Sequence, residues 1–161
     1  MKSPRKISLV AAAAAALQTM GLQAGTEGYL VSDDAICAVG WTEGAYKVFK
    51  SNQVFAAPGD RVRISAAGNE YEPFIVVLWP KSRMDGVRVE TGPLSNGRGS
   101  EIPPGLISVC HVACVPVAVP TDAAGAAGNW PDPLPPYSGP FTAYSGENHA
   151  LWITIYVPAG S

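Results

Sequence analysis

Charged residues and histidines are scarce in this chain. Only 15% of its 161 residues are Asp, Glu, Lys or Arg, and there are two His and three Cys. Neither His lies near a Ser or Cys in a recognisable nucleophile motif, and no C-x-x-C pair is present to hold zinc. The chain is also much shorter than the roughly 250 residues of a (β/α)8 barrel. We therefore expect no catalytic residue, no metal and no cofactor in this chain.

Helical periodicity is missing as well. After the N-terminal segment, no window of about 11 residues repeats its apolar positions with the period of an amphipathic helix. The chain has instead 17 Gly, 15 Pro and several short runs rich in Val and Ile. Short apolar strands between Gly and Pro turns are typical of a β-sandwich. We therefore predict an all-β fold, an antiparallel sandwich of the immunoglobulin-like or jelly-roll type.

Five or six segments have strand patterns. Phe74–Trp79 is a continuous apolar run between two prolines, and Leu151–Val157 alternates strictly between two faces. Leu106–Val119 is apolar on both faces, which predicts a central strand, and its Pro116 predicts a bulge or a switch between sheets. The remaining predicted strands are Trp41–Phe49, Arg61–Ser65 and Val87–Glu90. We expect loops over 91–104 and 121–144.

The N-terminus has the three parts of a secretory signal peptide. A positive n-region precedes the apolar run Ile7–Leu17, and Leu22-Gln23-Ala24 is a cleavage site before Gly25. The alternative is an Ala-rich helix that caps the domain. Because the apolar run is shorter than the roughly 20 residues that span a bilayer, we predict export to the periplasm or the exterior without a membrane span. The predicted domains are a signal peptide over 1–24, a lead-in over 25–40 and the sandwich over 41–161.

Cleavage at this site makes the chain more acidic. It removes three of the 11 Lys and Arg and none of the 13 Asp and Glu, which leaves a net charge of −5. A nucleic-acid partner requires a positive patch, and the sequence contains no basic run. We therefore exclude nucleic acids as partners.

The three cysteines leave two alternatives open. Cys110 and Cys114 lie four apart in a predicted strand, which places them about 13 Å from each other, too far for a disulfide. A disulfide therefore has to join Cys37 to one of them. The alternative is that all three are small buried hydrophobic residues.

Glu70 and Glu72 are the acidic pair best placed for joint chemistry. In an extended segment their carboxylates share a face at about 6.6 Å between Cα atoms, and carboxylate pairs at such distances hydrolyse glycosidic bonds. The alternative is that both are solvent-facing residues at the start of a strand. Two acids on one strand also lie side by side, whereas a glycosidase pair flanks its substrate.

Among the aromatic residues, Trp130 is the best candidate for a sugar-binding face. It lies in a predicted loop, and a flat ring matches the apolar C–H patches of a sugar. The alternative is that Trp130 packs against its own prolines.

Three segments together resemble a known domain. Ser65–Phe74 reads SAAGNEYEPF, Asn129–Pro136 reads NWPDPLPP and Asn148–Pro158 reads NHALWITIYVP. They are similar to the AARNEYEPF, WPDPLPP and LWITVYVP segments of the N-terminal β-sandwich of glycoside hydrolase family 123 and the related domain-of-unknown-function family 4091. The resemblance extends over residues 41–158. Two positions depart from the family pattern: Gly68 stands where Arg is usual, and Cys114 where an aromatic residue is common.

The resemblance implies a glycan-related function without catalysis. The family releases β-linked N-acetylgalactosamine by a retaining mechanism in which the 2-acetamido group of the substrate is the nucleophile. Its catalytic Asp-Glu pair belongs to a following (β/α)8 barrel, so no catalytic residue is carried over to this chain. We predict an exported, non-catalytic accessory β-sandwich of a family 123-like glycosidase, a fragment or split gene product that lacks the last strands of the domain. The alternatives are a free-standing carbohydrate-binding (lectin-like) module and an enzyme that uses Glu70.

The expected partners are a glycan or the missing catalytic barrel. The predicted substrate-binding residues are Trp130, Asp132, Asn69 and Glu70. If the last strands are absent, Leu151–Val157 is a bare apolar edge, and such edges pair with other chains. We therefore expect oligomers through this strand.

Overall fold

The computed structural model describes residues 6–9, 28–51, 54–55, 57–95, 99–121 and 125–160. Within these ranges the chain forms β-strands and one 3-10 turn at Pro104–Leu106, and it forms no α-helix. The all-β prediction is confirmed. The strands are β1 (Lys6–Leu9), β2 (Tyr29–Asp33), β3 (Cys37–Glu43), β4 (Ala57–Pro58), β5 (Glu70–Pro80), β6 (Met84–Thr91), β7 (Leu94–Ser95), β8 (Glu101–Ile102), β9 (Ile107–His111), β10 (Cys114–Val117), β11 (Gly128–Pro131), β12 (Phe141–Ala143) and β13 (His149–Val157).

Six strands make up the principal sheet, in the order β4, β2, β3, β5, β13, β9. All neighbours are antiparallel except the two-residue pairing of β2 with β4. β5 and β13 are adjacent interior strands, with His149 opposite Leu78 at one end and Val157 opposite Glu70 at the other. The predictions of Phe74–Trp79 and Leu151–Val157 as strands are confirmed, because long β-branched and apolar runs are best buried in a sheet.

The inner face of the principal sheet carries the main core. Side chains alternate between the two faces of a strand, and every second residue of β3, β5 and β13 points to this side. The buried members are Trp41, Phe74, Val76, Leu151, Ile153 and Ile155. They pack against side chains of the second layer, namely Val89, Leu94, Ile102 and Phe141. The two layers make the fold sandwich-like.

The outer face of the sheet is only partly covered. Ile75, Val77 and Ala150 pack there against Val48 and Val54, which belong to the segment that follows β3. The buried Asn148, directly before β13, holds this segment by hydrogen bonds to its backbone. Covering segments of this kind leave the remainder of the outer face to solvent.

Gly40 allows the covering segment to approach the sheet. A Cβ at this position would collide with the ring of Phe55 and with the carbonyl oxygen of Tyr29. The glycine is therefore required because the neighbouring backbone and ring lie where a side chain would be.

The second layer contains β6 between β1 and β12. β1 runs parallel to β6, from Lys6 opposite Arg88 to Leu9 opposite Thr91. The rest of the predicted signal peptide over 1–24 lies outside the described residues, and its cleavage stays a prediction. In the described ranges no helix has the length and hydropathy that crossing a bilayer takes.

The principal sheet begins earlier than predicted. Both β2 and the first half of β3 fall within 25–40, which the sequence analysis treats as a lead-in ahead of the sandwich. The two strands are joined by a turn in which Asp34 Oδ1 accepts hydrogen bonds from the N–H groups of Ile36 at 2.7 Å and Cys37 at 2.8 Å. Asp commonly forms turns in which its side chain accepts hydrogen bonds from the backbone N–H groups that follow it.

One predicted strand segment is wrong and a second is only partly confirmed. Arg61–Ser65 alternates in sequence but forms no strand, and Ile64 is 36% exposed. Arg61 and Arg63 both pair with Asp60, which orders the segment by local ion pairs instead of a ladder. Trp41–Phe49 is a strand only as far as Glu43.

Leu106–Val119 is not one central strand. It divides into β9, the last strand of the principal sheet, and β10, which pairs with β11. The predicted switch between sheets is therefore confirmed, but it falls at Val112 and Ala113, ahead of Pro116. The predicted loop over 121–144 likewise contains β11 and β12. Pro131 lies opposite Cys114 in this ladder. An edge strand tolerates a proline, because its missing N–H costs no hydrogen bond on the solvent side.

The last strand is not a bare edge, and that prediction is wrong. β13 pairs with β5 on one side and with β9 on the other, so its backbone groups are used on both sides. The outer side of β9 is covered in turn by a proline-rich segment: His111 N–H donates to Pro135 O and Tyr137 N–H to Val109 O, both at 2.9 Å. Covering an edge in this way removes the template for oligomers through the last strand.

Candidate functional site

The structure places Trp130 in β11, where its ring is half-buried. Its Nε1–H donates to Ala126 O at 2.6 Å, and its ring makes an edge contact with Phe49 at 5.1 Å between centroids. The ring packs against Phe49 of the covering segment. The hydrogen-bonding group and one edge of this indole are therefore already engaged within the protein.

Asp132 follows directly and is held by an ion pair. Lys47 Nζ lies 3.1 Å from Asp132 Oδ1 and also donates to Pro131 O at 3.3 Å. Both charged side chains are more than half exposed, so the pair is worth at most about 1 kcal/mol. Asp132 thus keeps one carboxylate oxygen for other partners.

Asn69 and Glu70 lie at the start of β5. Asn69 adopts a left-handed conformation with φ of 64°, and its N–H donates to Val157 O at 2.8 Å. Glu70 Oε2 accepts a hydrogen bond from Ala67 N–H at 2.6 Å. Both groups therefore stabilise the turn that leads into the strand.

The four predicted site residues form two separate pairs. Asp132 N–H donates to Ala113 O, and the neighbouring Val112 N–H donates to Ala150 O near the start of β13. Asn69 N–H donates to Val157 O at the other end of that strand. Seven residues of strand separate the two attachment points, which is about 23 Å. The two pairs are therefore too far apart for one monosaccharide to contact both.

Glu70 and Glu72 are placed side by side along β5, opposite Val157 and Ile155. Glu70 is exposed and Glu72 half-buried. Two-carboxylate hydrolysis uses acids that flank the substrate, whereas these two lie on the same face of one strand. This geometry favours a role of Glu70 in the turn.

Gly68, one of the two departures from the family pattern, sits where the chain passes close to itself. A Cβ at this position would lie 3.3 Å from Ala159 Cα. A glycine therefore lets the residues after β13 pack against the turn before β5.

An aromatic pair that the sequence analysis missed stands on the outer face of the sheet. Tyr71 of β5 and Tyr156 of β13 are directly opposite in register, and their ring centroids are 4.8 Å apart at an interplanar angle of 40°. Tyr71 is 68% exposed. The hydroxyl of Tyr156 donates to Asn69 Oδ1 at 3.0 Å. We call Tyr71, Tyr156 and Asn69 the tyrosine platform.

A second cluster collects both histidines of the chain. His111 packs edge-on against Phe141 at 4.9 Å and lies 5.5 Å from the ring of Tyr137. His149 Nε2 lies 2.8 Å from Tyr144 N, 3.2 Å from Tyr144 O and 3.3 Å from Glu147 Oε1. Burial lowers the pKa of both histidines. Their neutral forms therefore serve as packing and turn-closing groups.

The described residues contain no group of three or more His, Cys, Asp or Glu side chains arranged to hold a metal ion. The three cysteines are unpaired. Cys37 alone is fully buried, and burial raises the pKa of its thiol, which makes it unreactive. Cys110 and Cys114 are half-buried and belong to two different strands, so the prediction of one shared strand is wrong.

An apolar hollow between the layers is lined by Phe74, Leu94, Ile107, Ile153 and Ile155, together with Thr91 and Gly92. Its volume of about 230 Å³, open mouth included, lies below the roughly 300 Å³ at which small-molecule sites begin. The tyrosine platform is therefore a better candidate for ligand contact than this hollow.

Comparison with solved structures gives a structural likeness. No family model and no curated protein matches the chain. A solved family 123 glycoside hydrolase from Clostridium perfringens, studied for glycolipid glycan hydrolysis, is similar with a TM-score of 0.50 and 17% sequence identity. The match covers 60% of this chain and 17% of that one, so the chain spans about a sixth of its neighbour's length. The likeness shows that the two proteins share a β fold over the matched part.

Proposed function

We propose that the chain is an exported, non-catalytic accessory β-sandwich of a family 123-like glycosidase, of the β-N-acetylgalactosaminidase type. The observation that carries the proposal is the structural likeness to a family 123 glycoside hydrolase of which this chain covers only 17%. The three sequence segments that resemble the N-terminal domain of that family point the same way. The remaining length of such an enzyme is ample for a (β/α)8 barrel.

The acidic residues support a non-catalytic role. One carboxylate oxygen of Glu70 accepts a hydrogen bond from Ala67 N–H, and the side chain is exposed at the start of β5. An acid in this position lacks the buried environment in which catalytic proton donors are found. We therefore assign hydrolysis to a separate catalytic domain.

The test of this proposal is association with a barrel. The DNA that flanks the coding region is read for a barrel-coding stretch, in frame or shifted, and that domain is coexpressed with the tagged chain. Copurification of the barrel supports the proposal. Flanking DNA without such a stretch, or a barrel that does not copurify, contradicts it.

A free-standing carbohydrate-binding module is the second candidate. It is favoured by the exposure of Tyr71 on the outer face, since 68% of this side chain is open to solvent. Binding of the purified chain to a glycan without any barrel partner is the outcome that distinguishes this candidate.

A further inference from the structure

We propose that the tyrosine platform binds a pyranose unit of a glycan through the rings of Tyr71 and Tyr156 and the amide of Asn69. The inference deepens the proposed function and rests on it for the glycan as the class of ligand. It moves the sugar contact from Trp130, the candidate of the sequence analysis, to the opposite end of the principal sheet.

The first argument is exposure on a fixed scaffold. Tyr71 and Tyr156 project from β5 and β13, two adjacent interior strands of the principal sheet. They lie beyond the cluster in which Val48 and Val54 cover the same face. Sites built on regular strands hold their side chains more precisely than sites on loops. Tyr71 thus offers a ring to solvent from a rigid position.

The second argument is preorganisation of the polar groups. The hydroxyl of Tyr156 is held by Asn69 Oδ1, and the backbone of Asn69 is held by Val157 O. These bonds leave the Nδ2 amide of the exposed Asn69 as a donor toward solvent, next to the phenol oxygen as an acceptor. Sugar hydroxyls need such a donor and acceptor, and groups that are already ordered lose little entropy on binding.

The third argument compares the platform with other partners. Two tyrosine side chains offer at most about 500 Å² of contact area, whereas a stable protein interface buries roughly 800 Å² on each partner. The predicted mature chain is acidic, which disfavours phosphate ligands. A ring-sized ligand with apolar C–H faces and hydroxyl edges fits the platform best.

The structure also separates the platform from Glu70. Alternate residues of a strand face opposite sides, so Glu70 and Tyr71 leave β5 on different faces, and the Glu70 carboxylate turns back to Ala67. The proposed contact therefore uses Asn69 and omits Glu70.

The test is an array that carries oligosaccharides ending in β-linked N-acetylgalactosamine, N-acetylglucosamine, galactose and glucose, probed with the full chain. We expect binding to at least one of these sugars, at least 10-fold weaker in Tyr71→Ala and retained in Tyr71→Phe. Because Tyr71 is largely exposed, its replacement leaves the fold intact. The matched control is Tyr144→Ala, another exposed tyrosine, which lies at the opposite end of β13 beside His149.

Three outcomes overturn the platform. They are no binding to any of the four sugars, equal binding by Tyr71→Ala, and loss of binding in Trp130→Ala with Tyr71→Ala unaffected. Each of these leaves copurification with a barrel untouched as a separate result. If no sugar binds but a barrel copurifies, the platform proposal fails and the accessory role stands. If a sugar binds but no barrel copurifies, the platform proposal stands and the accessory role fails.

Discussion

Tyr156 and Asn69 join the end of the last strand to the turn before β5, through a hydrogen bond of 3.0 Å from the phenol to the amide oxygen. Asn69 is the one non-glycine residue with positive φ in the described ranges, at 64°. Asn is among the few side chains that adopt this conformation readily. The bond therefore fixes both the turn and the orientation of an exposed aromatic ring.

Two replacements of Asn69 separate the contribution of its side-chain acceptor from that of its backbone conformation. Asn69→Ala loses the acceptor and forces Ala into the left-handed region, so we expect the free energy of unfolding to fall by about 1–2 kcal/mol. Asn69→Gly loses the acceptor only, and we expect a decrease below about 1 kcal/mol. Urea denaturation measures both. A glycine variant less stable than the alanine variant would contradict the backbone argument.

Gly40 is expected to be intolerant of any side chain. Gly40→Ala brings a methyl group against the Phe55 ring and the Tyr29 carbonyl, and overpacking of this kind costs about 1–3 kcal/mol. The control is Gly105→Ala, because a Cβ at the exposed Gly105 meets no atom within 4 Å. Thermal unfolding of the two variants checks the prediction, and equal midpoints would show that the covering segment does not pack as described.

Asn148 is expected to hold the covering segment on the sheet. It is buried, its Nδ2 donates to Phe49 O at 2.7 Å and its N–H donates to Lys50 O at 2.8 Å. Asn148→Ala leaves the Phe49 carbonyl without this donor, which costs about 1–3 kcal/mol. Amide hydrogen exchange of residues 46–51 should accelerate in this variant and stay unchanged in the exposed control Asn129→Ala. Unchanged exchange in both variants would exclude the tether.

Stability should decrease as the pH falls below about 6.5, the ordinary pKa of histidine. Burial lowers the pKa of His111 and His149 in the folded chain, so the unfolded state binds protons first and folding loses free energy over that range. Urea midpoints at pH 7.5 and pH 5.5 measure the effect. Glu147 and Lys50 also act on His149, with opposite signs.

The control for this pH dependence is the double variant with His111→Gln and His149→Gln. Its urea midpoint should change less between the two pH values than that of the parent chain. A parent chain that is more stable at pH 5.5 than at pH 7.5 would contradict the predicted loss of stability on histidine protonation.

Part of the fold can be read from local sequence. β5 and β13 are long, β-branched and apolar, so burial in a sheet is the favourable outcome for each of them. The same reasoning does not predict β2 and the start of β3. The roles of Gly40 and of the Asp34 turn depend on contacts with Phe55 and Cys37, which local sequence does not show. A glycine near an Asp turn is the sequence signal that indicates this hairpin.

The tyrosine platform depends on register, which the sequence does not show. Tyr71 and Tyr156 meet only because β5 and β13 pair antiparallel with these two residues opposite each other. Trp130 looks exposed in sequence because prolines surround it, yet the pairing of β11 with β10 and the contact with Phe49 cover its edge. Tertiary pairing therefore reverses the ranking of the aromatic candidates.

The most direct measurement of the central claim is hydrolysis of p-nitrophenyl β-N-acetylgalactosaminide by the purified chain. The account predicts no release of p-nitrophenol above the uncatalysed rate, because Glu70 and Glu72 stand side by side on one strand with Glu70 exposed. Release by the chain alone that is lost in Glu70→Gln would contradict the assignment of a non-catalytic accessory sandwich.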